Sequence, residues 1–286
     1  GEKFEESDVA ALKRLTLELA LIKDNGYASL YLIWAAMVKE SNRCGRYSIA
    51  RGCVANSFVA YLSGITNINP LEYDLEFEVF AGLNGEKEPD IDINFDSEIQ
   101  MNMRQFLPKL VPEHMVVSAG TISTNQATIA EDIISTYPEL EDYRGQIERI
   151  KHSMGIHPSG SFVIPKEYSS TIPVEQIQGE TVTHFNFYDM IGRFFKMDIL
   201  GFDALTMIYR LHSLTMTGPE NIPLDDPSVL KMFTSTEPLG VTPEQIGAFT
   251  STLAIPGFDT PVAQKILLAC KPQSFKDLAK VYGLLH

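Results

Sequence analysis

The stretch that decides the fold reads Glu88-Pro89-Asp90-Ile91-Asp92-Ile93-Asn94-Phe95-Asp96. Successive side chains of a β-strand point to opposite faces, so Asp90 and Asp92 are predicted to share one face. Ile91 and Ile93 then anchor the other face in a core. Aspartate is depleted in strands, and two carboxylates in an apolar frame need a compensating partner. A divalent cation such as Mg²⁺, which prefers oxygen ligands, is the partner that we favour.

Two other interpretations of this stretch compete with a metal site. The alternating acids from Asp90 to Asp96 resemble the start of an EF-hand calcium loop. Phe95 occupies the position of the required glycine, however, and Met101 occupies that of the bidentate glutamate, so we reject a calcium loop. An edge strand with a solvated acidic face stays open as the alternative.

Length and composition indicate a globular protein without a membrane partner. With 286 residues and 44% hydrophobic content the chain can bury a sizeable core, in one large domain or two smaller ones. No apolar run reaches the roughly 18 residues that a membrane span needs. The three cysteines, Cys44, Cys53 and Cys270, have no paired spacing, so we predict free thiols and a reducing, cytoplasmic setting.

The charge balance limits how the chain can contact nucleic acid. The formal net charge of −14 argues against non-specific binding, which relies on Lys and Arg to neutralise phosphates. One basic patch is predicted from Lys39, Arg43, Arg46 and Arg51, opposed locally only by Glu40. We therefore expect weak, salt-sensitive DNA binding that depends on Arg46 and Arg51.

The segment from Tyr47 to Leu62 predicts a short strand that turns at Gly52 into a helix. The first turn of a helix has free N–H groups and a positive dipole end, which suits an anion, and Arg51 adds a charge beside it. Taken alone, this motif is weaker than the alternative of an ordinary strand-to-helix turn with an exposed arginine. Earlier in the chain, the apolar run from Ser29 to Val38 predicts a helix with Trp34 in the core.

Period-two patterns predict two antiparallel hairpins. The first joins a half-buried strand at Asp74–Phe80 to the Asp90/Asp92 strand through a tight turn at Asn84-Gly85. The second joins 181–188 to 193–200. Between these hairpins, residues 101–160 are predicted to form a mostly helical insertion.

A second acidic site is predicted in the returning strand of the later hairpin. Asp198 is the only acid in the apolar run 195–200, and Lys196 lies two residues earlier on the same face. His157, in the turn 155–160, could contact a phosphate or act as an acid. A lone histidine in a turn is more often structural, and we favour that interpretation.

Several motifs occur in a fixed order along nearly the whole chain. They are Arg51-Gly52 with Ser57-Phe58-Val59-Ala60, then Pro89-Asp90-Ile91-Asp92-Ile93-Asn94-Phe95, Gly120-Thr121-Ile122, His157-Pro158, Lys196-Met197-Asp198-Ile199-Leu200-Gly201 and Ser235-Thr236-Glu237-Pro238-Leu239-Gly240-Val241-Thr242-Pro243-Glu244-Gln245-Ile246. This order resembles the catalytic alpha subunit of bacterial DNA polymerase III, and within that family the Gram-positive-type replicative C-family polymerases.

The resemblance implies an α+β fold: a nucleotidyltransferase-type palm with a mixed β-sheet and flanking helices. It implies a first part of the palm at 1–100, a helical thumb-like insertion at 101–160, a second part of the palm at 161–218 and a helical start of the fingers at 219–286. The site residues that it implies fall into three groups. The catalytic and metal-binding residues are Asp90, Asp92 and Asp198; the nucleotide- or phosphate-binding residues are Arg51, Gly52, Cys53 and Lys196; further candidates are Arg46 and His157.

The activity implied by the resemblance is DNA-directed DNA polymerisation, in which two Mg²⁺ or Mn²⁺ ions assist transfer of a deoxynucleotide to a primer 3′-hydroxyl. The implied partners are a primed DNA template and dNTPs, with the sliding clamp and other replisome subunits binding regions that this sequence does not contain. No zinc is expected, because the segment between Thr66 and Asp74 lacks the cysteine-bearing insertion of similar polymerases.

One departure from the family pattern keeps a second function open. Similar polymerases carry Gly-Ser before Arg-Gly-Ser, whereas this chain reads Ile49-Ala50-Arg51-Gly52-Cys53, so two hydroxyl donors and one glycine are absent. The alternative is a degenerate or truncated non-catalytic homologue that keeps the palm fold and binds DNA, metal or a protein partner.

Overall fold

The computed structural model describes residues 6–285, with side chains from Val9 onward. The chain divides into two compact units, Gly1–Arg210 and Leu211–His286. Within the described residues, every helix is too short or too polar to cross a membrane.

The seven strands of the described residues belong to one sheet in the first unit. They are β1 (Ser48–Arg51), β2 (Asp92–Asp96), β3 (His114–Thr124), β4 (Lys151–Pro165), β5 (Val174–Ile177), β6 (Glu180–Asn186) and β7 (Phe195–Phe202). Their order in the sheet is β1-β2-β7-β4-β3-β6-β5. The pairs β2/β7 and β3/β6 are parallel and the other four pairs are antiparallel, so the sheet is mixed, as predicted.

Thirteen α-helices accompany the sheet within the described residues. They are α1 (Glu6–Asp24), α2 (Ala28–Arg43), α3 (Phe58–Leu62), α4 (Phe77–Ala81), α5 (Gln100–Leu110), α6 (Ala127–Thr136), α7 (Arg144–Ile147), α8 (Phe187–Met190), α9 (Asp203–Thr215), α10 (Pro227–Met232), α11 (Pro243–Ile246), α12 (Pro261–Cys270) and α13 (Phe275–Leu285). The combination confirms the predicted α+β class.

The main core lies between one face of the sheet and the helices α2 and α5. Trp34 and Met37 of α2 and Leu107 of α5 are buried there against Ile93 of β2 and Ile199 of β7. The predicted core position of Trp34 is therefore confirmed. Because alternate residues of β2 and β7 supply this core, the residues between them are directed to the opposite face of the sheet.

The second unit has a small core of its own. It is made by Leu230 of α10, Leu267 of α12, Val281 of α13 and the connecting residues Phe233, directly after α10, and Phe258. Asp226 begins α10 by accepting hydrogen bonds from the N–H groups of Ser228 and Val229.

The first predicted hairpin is wrong. Phe77–Ala81 is helix α4, not part of a strand, and β2 pairs with β1 on the side where the hairpin partner was expected. Phe77, Phe80 and Ala81 are buried while Val79 is exposed, which is helical spacing. The short alternation of apolar and acidic residues in this segment is compatible with the spacing of a strand and with that of a helix. The helix forms because it buries Phe77, Phe80 and Ala81 together.

The second predicted hairpin is also wrong, although both of its strands exist. β6 pairs with β5 and β3, whereas β7 lies between β2 and β4. Helix α8 follows β6 directly and carries the chain away from it. A turn signal reports only local bending, so it could not identify which strand each segment pairs with.

The prediction that residues 101–160 are mostly helical is wrong as well. The two longest strands, β3 and β4, begin in this range and lie in the middle of the sheet. Only α6, α7 and a short 3₁₀ helix separate them. The centre of β3 is a run of small buried residues, from Ser118 to Gly120, and such a run has neither the strand nor the helix period.

A buried ionic network connects α1 with the start of α3. The Glu18 carboxylate is fully buried and accepts hydrogen bonds from Arg14 at 2.6 Å, from the N–H groups of Phe58 and Val59, and from the Ser57 hydroxyl. The Arg14 guanidinium also donates to the carbonyl oxygens of residues 56 and 75, at 2.7 and 3.0 Å. These contacts satisfy a buried charge pair and attach α1 to the rest of the first unit.

Glu18→Ala should lower the free energy of unfolding of the first unit by about 3–5 kcal/mol, because it leaves Arg14 and two helix N–H groups without their acceptor. Trp34, the single tryptophan, lies in this unit, so its fluorescence during denaturation with urea provides the measurement.

The matched control is Glu40→Ala, which removes the partner of Arg43, a side chain that is 72% exposed. Exposed pairs contribute at most about 1 kcal/mol, so this variant should stay close to the wild type. Equal losses in the two variants would contradict a structural role for the Glu18 network.

Candidate active site

Three aspartates meet at one point of the sheet. The parallel register of β2 and β7 puts Asp92 directly opposite Asp198, and Asp90 lies two residues before Asp92. One oxygen from each carboxylate lies within 4.8 Å of the others. On the opposite face, Ile91 and Ile93 are buried as predicted. The fold thus brings the three predicted site residues together.

The position of β2 decides between the two interpretations of the acidic stretch. β2 is flanked by β1 on one side and by β7 on the other. The alternative of an edge strand with a solvated acidic face is therefore wrong. The side chains of Asp92 and Asp198 are mostly buried, being 23% and 14% exposed.

The electrostatics of the cluster favour a bound cation. Burial raises the pKa of Asp92 above its ordinary value, and the neighbouring charges of Asp90 and Asp198 raise it further. Arg51 and Lys196 act in the opposite direction but do not cancel these effects. Oxygen donors alone, without nitrogen or sulfur, are the ligand set that Mg²⁺ and Mn²⁺ prefer. The residues present therefore fit a divalent metal of this class.

Asp198 has a close partner at each of its oxygens. The Ser159 hydroxyl donates a hydrogen bond to Oδ1 at 2.9 Å, and the Lys196 ammonium lies 2.5 Å from Oδ2. The Lys196 contact agrees with the predicted shared face. Ser159 was missed, since no motif marks it: the antiparallel pairing of β4 with β7, in which Gly160 faces Asp198, brings it to the site.

His157 lies at the site, and its ring is engaged by the protein. Its Nδ1 accepts the backbone N–H of Gly160 at 2.9 Å, and its ring packs on Phe187 with centroids 4.9 Å apart. Burial lowers the pKa of His157, and the Lys196 charge lowers it further. A neutral ring that accepts a backbone hydrogen bond supports the structural interpretation of this residue.

Arg51 ends β1 beside the acidic cluster. Its Nη2 lies 3.8 Å from Oδ2 of Asp92, and its side chain is 64% exposed. Gly52 follows with φ of +73°, a left-handed conformation that favours glycine. Cys53 packs its side chain against the core instead of facing the aspartates. Arg51 is thus the member of this loop with a charged group available to an incoming anion.

The segment after Gly52 forms a short 3₁₀ helix, Gly52–Asn56, and α3 follows it. The N–H groups of Phe58 and Val59, in the first turn of α3, already bind the carboxylate of Glu18. An internal anion from α1 therefore occupies the start of α3, and phosphate binding at Arg51, Gly52 and Cys53 stays a prediction. The sequence does not reveal this, because Glu18 lies about 40 residues from its partners.

Arg46 lies at the other end of β2 and belongs to a different cluster. It contacts Asp96 and Glu98 at 2.8 Å each, and its guanidinium stacks over the ring of Tyr209 at 3.8 Å. Arg43 is likewise paired with Glu40. The predicted basic patch is therefore wrong as a free surface, since three of its four cations pair with acids: Arg43, Arg46 and, at 3.8 Å from Asp92, Arg51.

Asp96, the last acid of the alternating row, is buried and structural. Burial alone would raise its pKa, but hydrogen bonds from Thr206, the N–H of Glu98 and Arg46 lower it below the ordinary value. Asp96 therefore differs from Asp92, whose pKa is raised.

Comparison with known proteins identifies the family. A family model described as the bacterial DNA polymerase III alpha NTPase domain matches residues 2–137 and 130–201. The chain belongs to the bacterial DNA polymerase III alpha family. A second model, for the finger domain of the same alpha subunit, matches residues 203–286. The predicted family is thereby confirmed, and the mixed sheet is consistent with a nucleotidyltransferase-like palm.

Curated relatives extend over nearly the whole chain. The DNA polymerase III PolC-type proteins of Caldanaerobacter subterraneus and Clostridium perfringens are each 33% identical over 96% of this chain. That of Pediococcus pentosaceus is 34% identical over the same share. The chain spans about a quarter of the length of these relatives, 24% of the first and 23% of the other two.

Asp92→Asn should leave the melting temperature at pH 7 without metal equal to or above that of the wild type. The folded-state pKa of Asp92 lies above its ordinary value of 3.8, so the native state holds this proton longer than the unfolded state. Wild-type stability therefore falls as pH rises from 3.8 through the folded pKa, and the variant escapes this loss. Thermal melts across this pH range provide the measurement.

The same variant should lose the rise in melting temperature that Mn²⁺ or Mg²⁺ produces in the wild type, because one metal ligand is gone. Asp142→Asn, which removes an exposed acid outside the cluster, should keep that rise. A metal response that survives Asp92→Asn would show that the three aspartates do not share a metal site.

Arg51→Ala and Arg46→Ala should have different effects. Arg51→Ala should weaken binding to primed duplex DNA and reduce the slope of log affinity against log salt by about 1, since one phosphate contact is lost. Arg46→Ala should instead lower the free energy of unfolding by about 3 kcal/mol, because it leaves the buried Asp96 without its cation. Fluorescence anisotropy at several salt concentrations and urea denaturation measure the two effects. If both variants lost the same DNA affinity and Arg46→Ala kept wild-type stability, Arg46 would belong to the DNA-binding surface.

Proposed function

We propose that this chain is part of the catalytic core of a replicative DNA polymerase, which transfers deoxynucleotides to a primer 3′-hydroxyl as a template directs. One observation carries the proposal: Asp90, Asp92 and Asp198 bring carboxylate oxygens within 4.8 Å of one another in a member of the DNA polymerase III alpha family. The shared sheet supports the proposal because it holds two of these aspartates on adjacent, rigid strands.

Asp90, Asp92 and Asp198 would hold Mg²⁺ or Mn²⁺. When bound, such ions activate an attacking hydroxyl and stabilise the charge on attacking and leaving oxygens in phosphoryl transfer. The carboxylates of Asp92 and Asp198 keep their separation because the backbones of β2 and β7 are hydrogen-bonded at this register. A fixed separation matters, because misplacement of reacting groups by about 1 Å can lower the rate by about 100-fold.

Two cations of the chain would contact the nucleotide. The guanidinium of Arg51 is exposed next to Asp92, where it can pair with an oxygen of the triphosphate in the planar geometry that arginine favours. Gly52 lets the chain turn directly after it. Lys196 lies between Asp198 and the ring of Phe187, 5.5 Å from the ring centroid, and its flexible stem allows it to turn towards a phosphate or the primer end.

The proposed division of the chain follows from these roles. The sheet in Gly1–Arg210 would form the palm, the helices between β3 and β4 would form the thumb-like insertion, and Leu211–His286 would begin the fingers. The proposed substrates are a primed DNA template and dNTPs in the cytoplasm. The sliding clamp and other replisome subunits would bind parts of the longer relatives that this chain does not span.

A non-catalytic homologue is the second candidate function, and the Arg51 loop favours it. Ala50 and Cys53, on either side of Arg51-Gly52, offer no hydroxyl to a triphosphate, and the N–H groups at the start of α3 are bound to Glu18. A homologue of this kind would bind metal or DNA without turnover.

Single-nucleotide incorporation on a primed template separates the two functions. We expect slow, Mn²⁺-dependent incorporation by this chain, faster incorporation by any longer protein that carries it, and a loss of at least about 100-fold in Asp198→Asn because the reacting groups are no longer held in place. Asp142→Asn, outside the cluster, should match the wild type. Mn²⁺ binding without incorporation in either protein would favour the non-catalytic homologue.

A further inference from the structure

Two unlike groups hold the carboxylate of Asp198. The neutral hydroxyl of Ser159 donates to Oδ1 at 2.9 Å, and the charged ammonium of Lys196 lies 2.5 Å from Oδ2. Ser159 is buried, and the side chain of Lys196 is only 18% exposed. Both contacts are therefore largely shielded from solvent.

The segment of β4 that carries Ser159 is held against the site, and it is strand instead of the turn predicted at 155–160. Nδ1 of His157 accepts the N–H of Gly160 at 2.9 Å and that of Ser159 at 3.3 Å. A Cβ at Gly160 would lie 2.9 Å from that same Nδ1 and 3.1 Å from Cε of Lys196, so a side chain there would have to displace His157 or Lys196. These contacts and the pairing of Gly160 with Asp198 hold the Ser159 hydroxyl next to the Asp198 carboxylate.

The two partners of Asp198 differ in how they affect metal binding by its carboxylate. A hydroxyl donates one hydrogen bond and leaves the charge of the carboxylate in place, so it orients the ligand without replacing a cation. An ammonium carries a full positive charge and pairs with one of the two oxygens that Asp198 could offer to a metal. Ser159 should therefore help metal binding, while Lys196 should compete with it.

We propose that Ser159 is a positioning residue that orients Asp198 for a divalent metal, and that Lys196 is the resident counter-ion that the metal displaces from Oδ2. This inference rests on the proposed metal site at Asp90, Asp92 and Asp198. It adds a mechanism by which the chain offsets the charge of Asp198, one of the three acids, before metal arrives, and it frees Lys196 for a phosphate once the metal is bound.

Mn²⁺ titration of the wild type and of single variants tests both halves, without nucleotide or DNA. Ser159→Ala should weaken Mn²⁺ binding by about 10- to 100-fold, the usual effect of losing a hydrogen bond that orients a metal ligand. Lys196→Met should tighten it by on the order of tenfold, because a competing positive charge is removed. Free Mn²⁺ is counted by electron paramagnetic resonance, and calorimetry gives the dissociation constant.

Two controls separate positioning from general packing. Ser159→Thr keeps the hydroxyl and should retain most of the wild-type affinity. Ser161→Ala removes another buried serine of β4, which faces Met197 in the register, and should leave the affinity unchanged. Melting temperatures without metal show that each variant is folded.

Each result bears on a different part of the proposal. Unchanged affinity in folded Ser159→Ala overturns the positioning role, and weaker binding in Lys196→Met overturns the counter-ion role. Should Ser159→Ala fail to fold, Ser159→Cys, whose thiol is a much weaker donor, takes its place: weaker Mn²⁺ binding supports the positioning role and unchanged binding overturns it. Absence of Mn²⁺ binding by the wild type would overturn the metal site itself, and with it this inference, whereas binding that no variant changes would leave the metal site standing.

Discussion

The parallel pairing of β2 with β7 is the constraint on which the site depends. It puts Asp92 opposite Asp198, so two like charges face each other on a mostly buried surface. Burial and repulsion raise the pKa of Asp92, which means that the folded chain carries a cost as long as both acids are ionised. The backbone hydrogen bonds of the sheet and the apolar core on its other face hold the pair together in spite of this cost.

The chain treats its other buried acids differently. Glu18 has four donors around it, and Asp96 has hydrogen bonds from Thr206, Arg46 and a backbone N–H. Among the described residues, the ion-pair partner of Asp92 is an arginine at 3.8 Å, and that arginine is largely exposed, while Lys196 acts on Asp92 through its charge. Buried acids whose charge is matched by hydrogen-bond donors and cations are typical of structural positions. A buried acid whose charge the protein does not match is typical of a functional site. This contrast separates the site from the structural acids without reference to any relative.

Sequence reasoning succeeded where a pattern acts within one element. The alternation around Asp92 predicted its buried and its polar face, the helical spacing around Trp34 predicted its core position, and the ordered motifs predicted the family. It failed where the partner of a strand or of a charged side chain lies in a distant segment of the chain. The partners of β6 and β7 and the pairing of Arg46 with Asp96 depend on contacts between distant segments, which no local period reports.

The sequence by itself determined the chemical character of the site: aspartates in apolar strands, with a lysine two residues before Asp198. Only the tertiary structure decided which groups surround them. It brought Ser159 to Asp198 through the register of β4, and it filled the start of α3 with Glu18. The physical reason is that side-chain direction along a strand follows from covalent geometry, whereas strand order and the pairing of buried charges follow from the free energy of packing the whole unit.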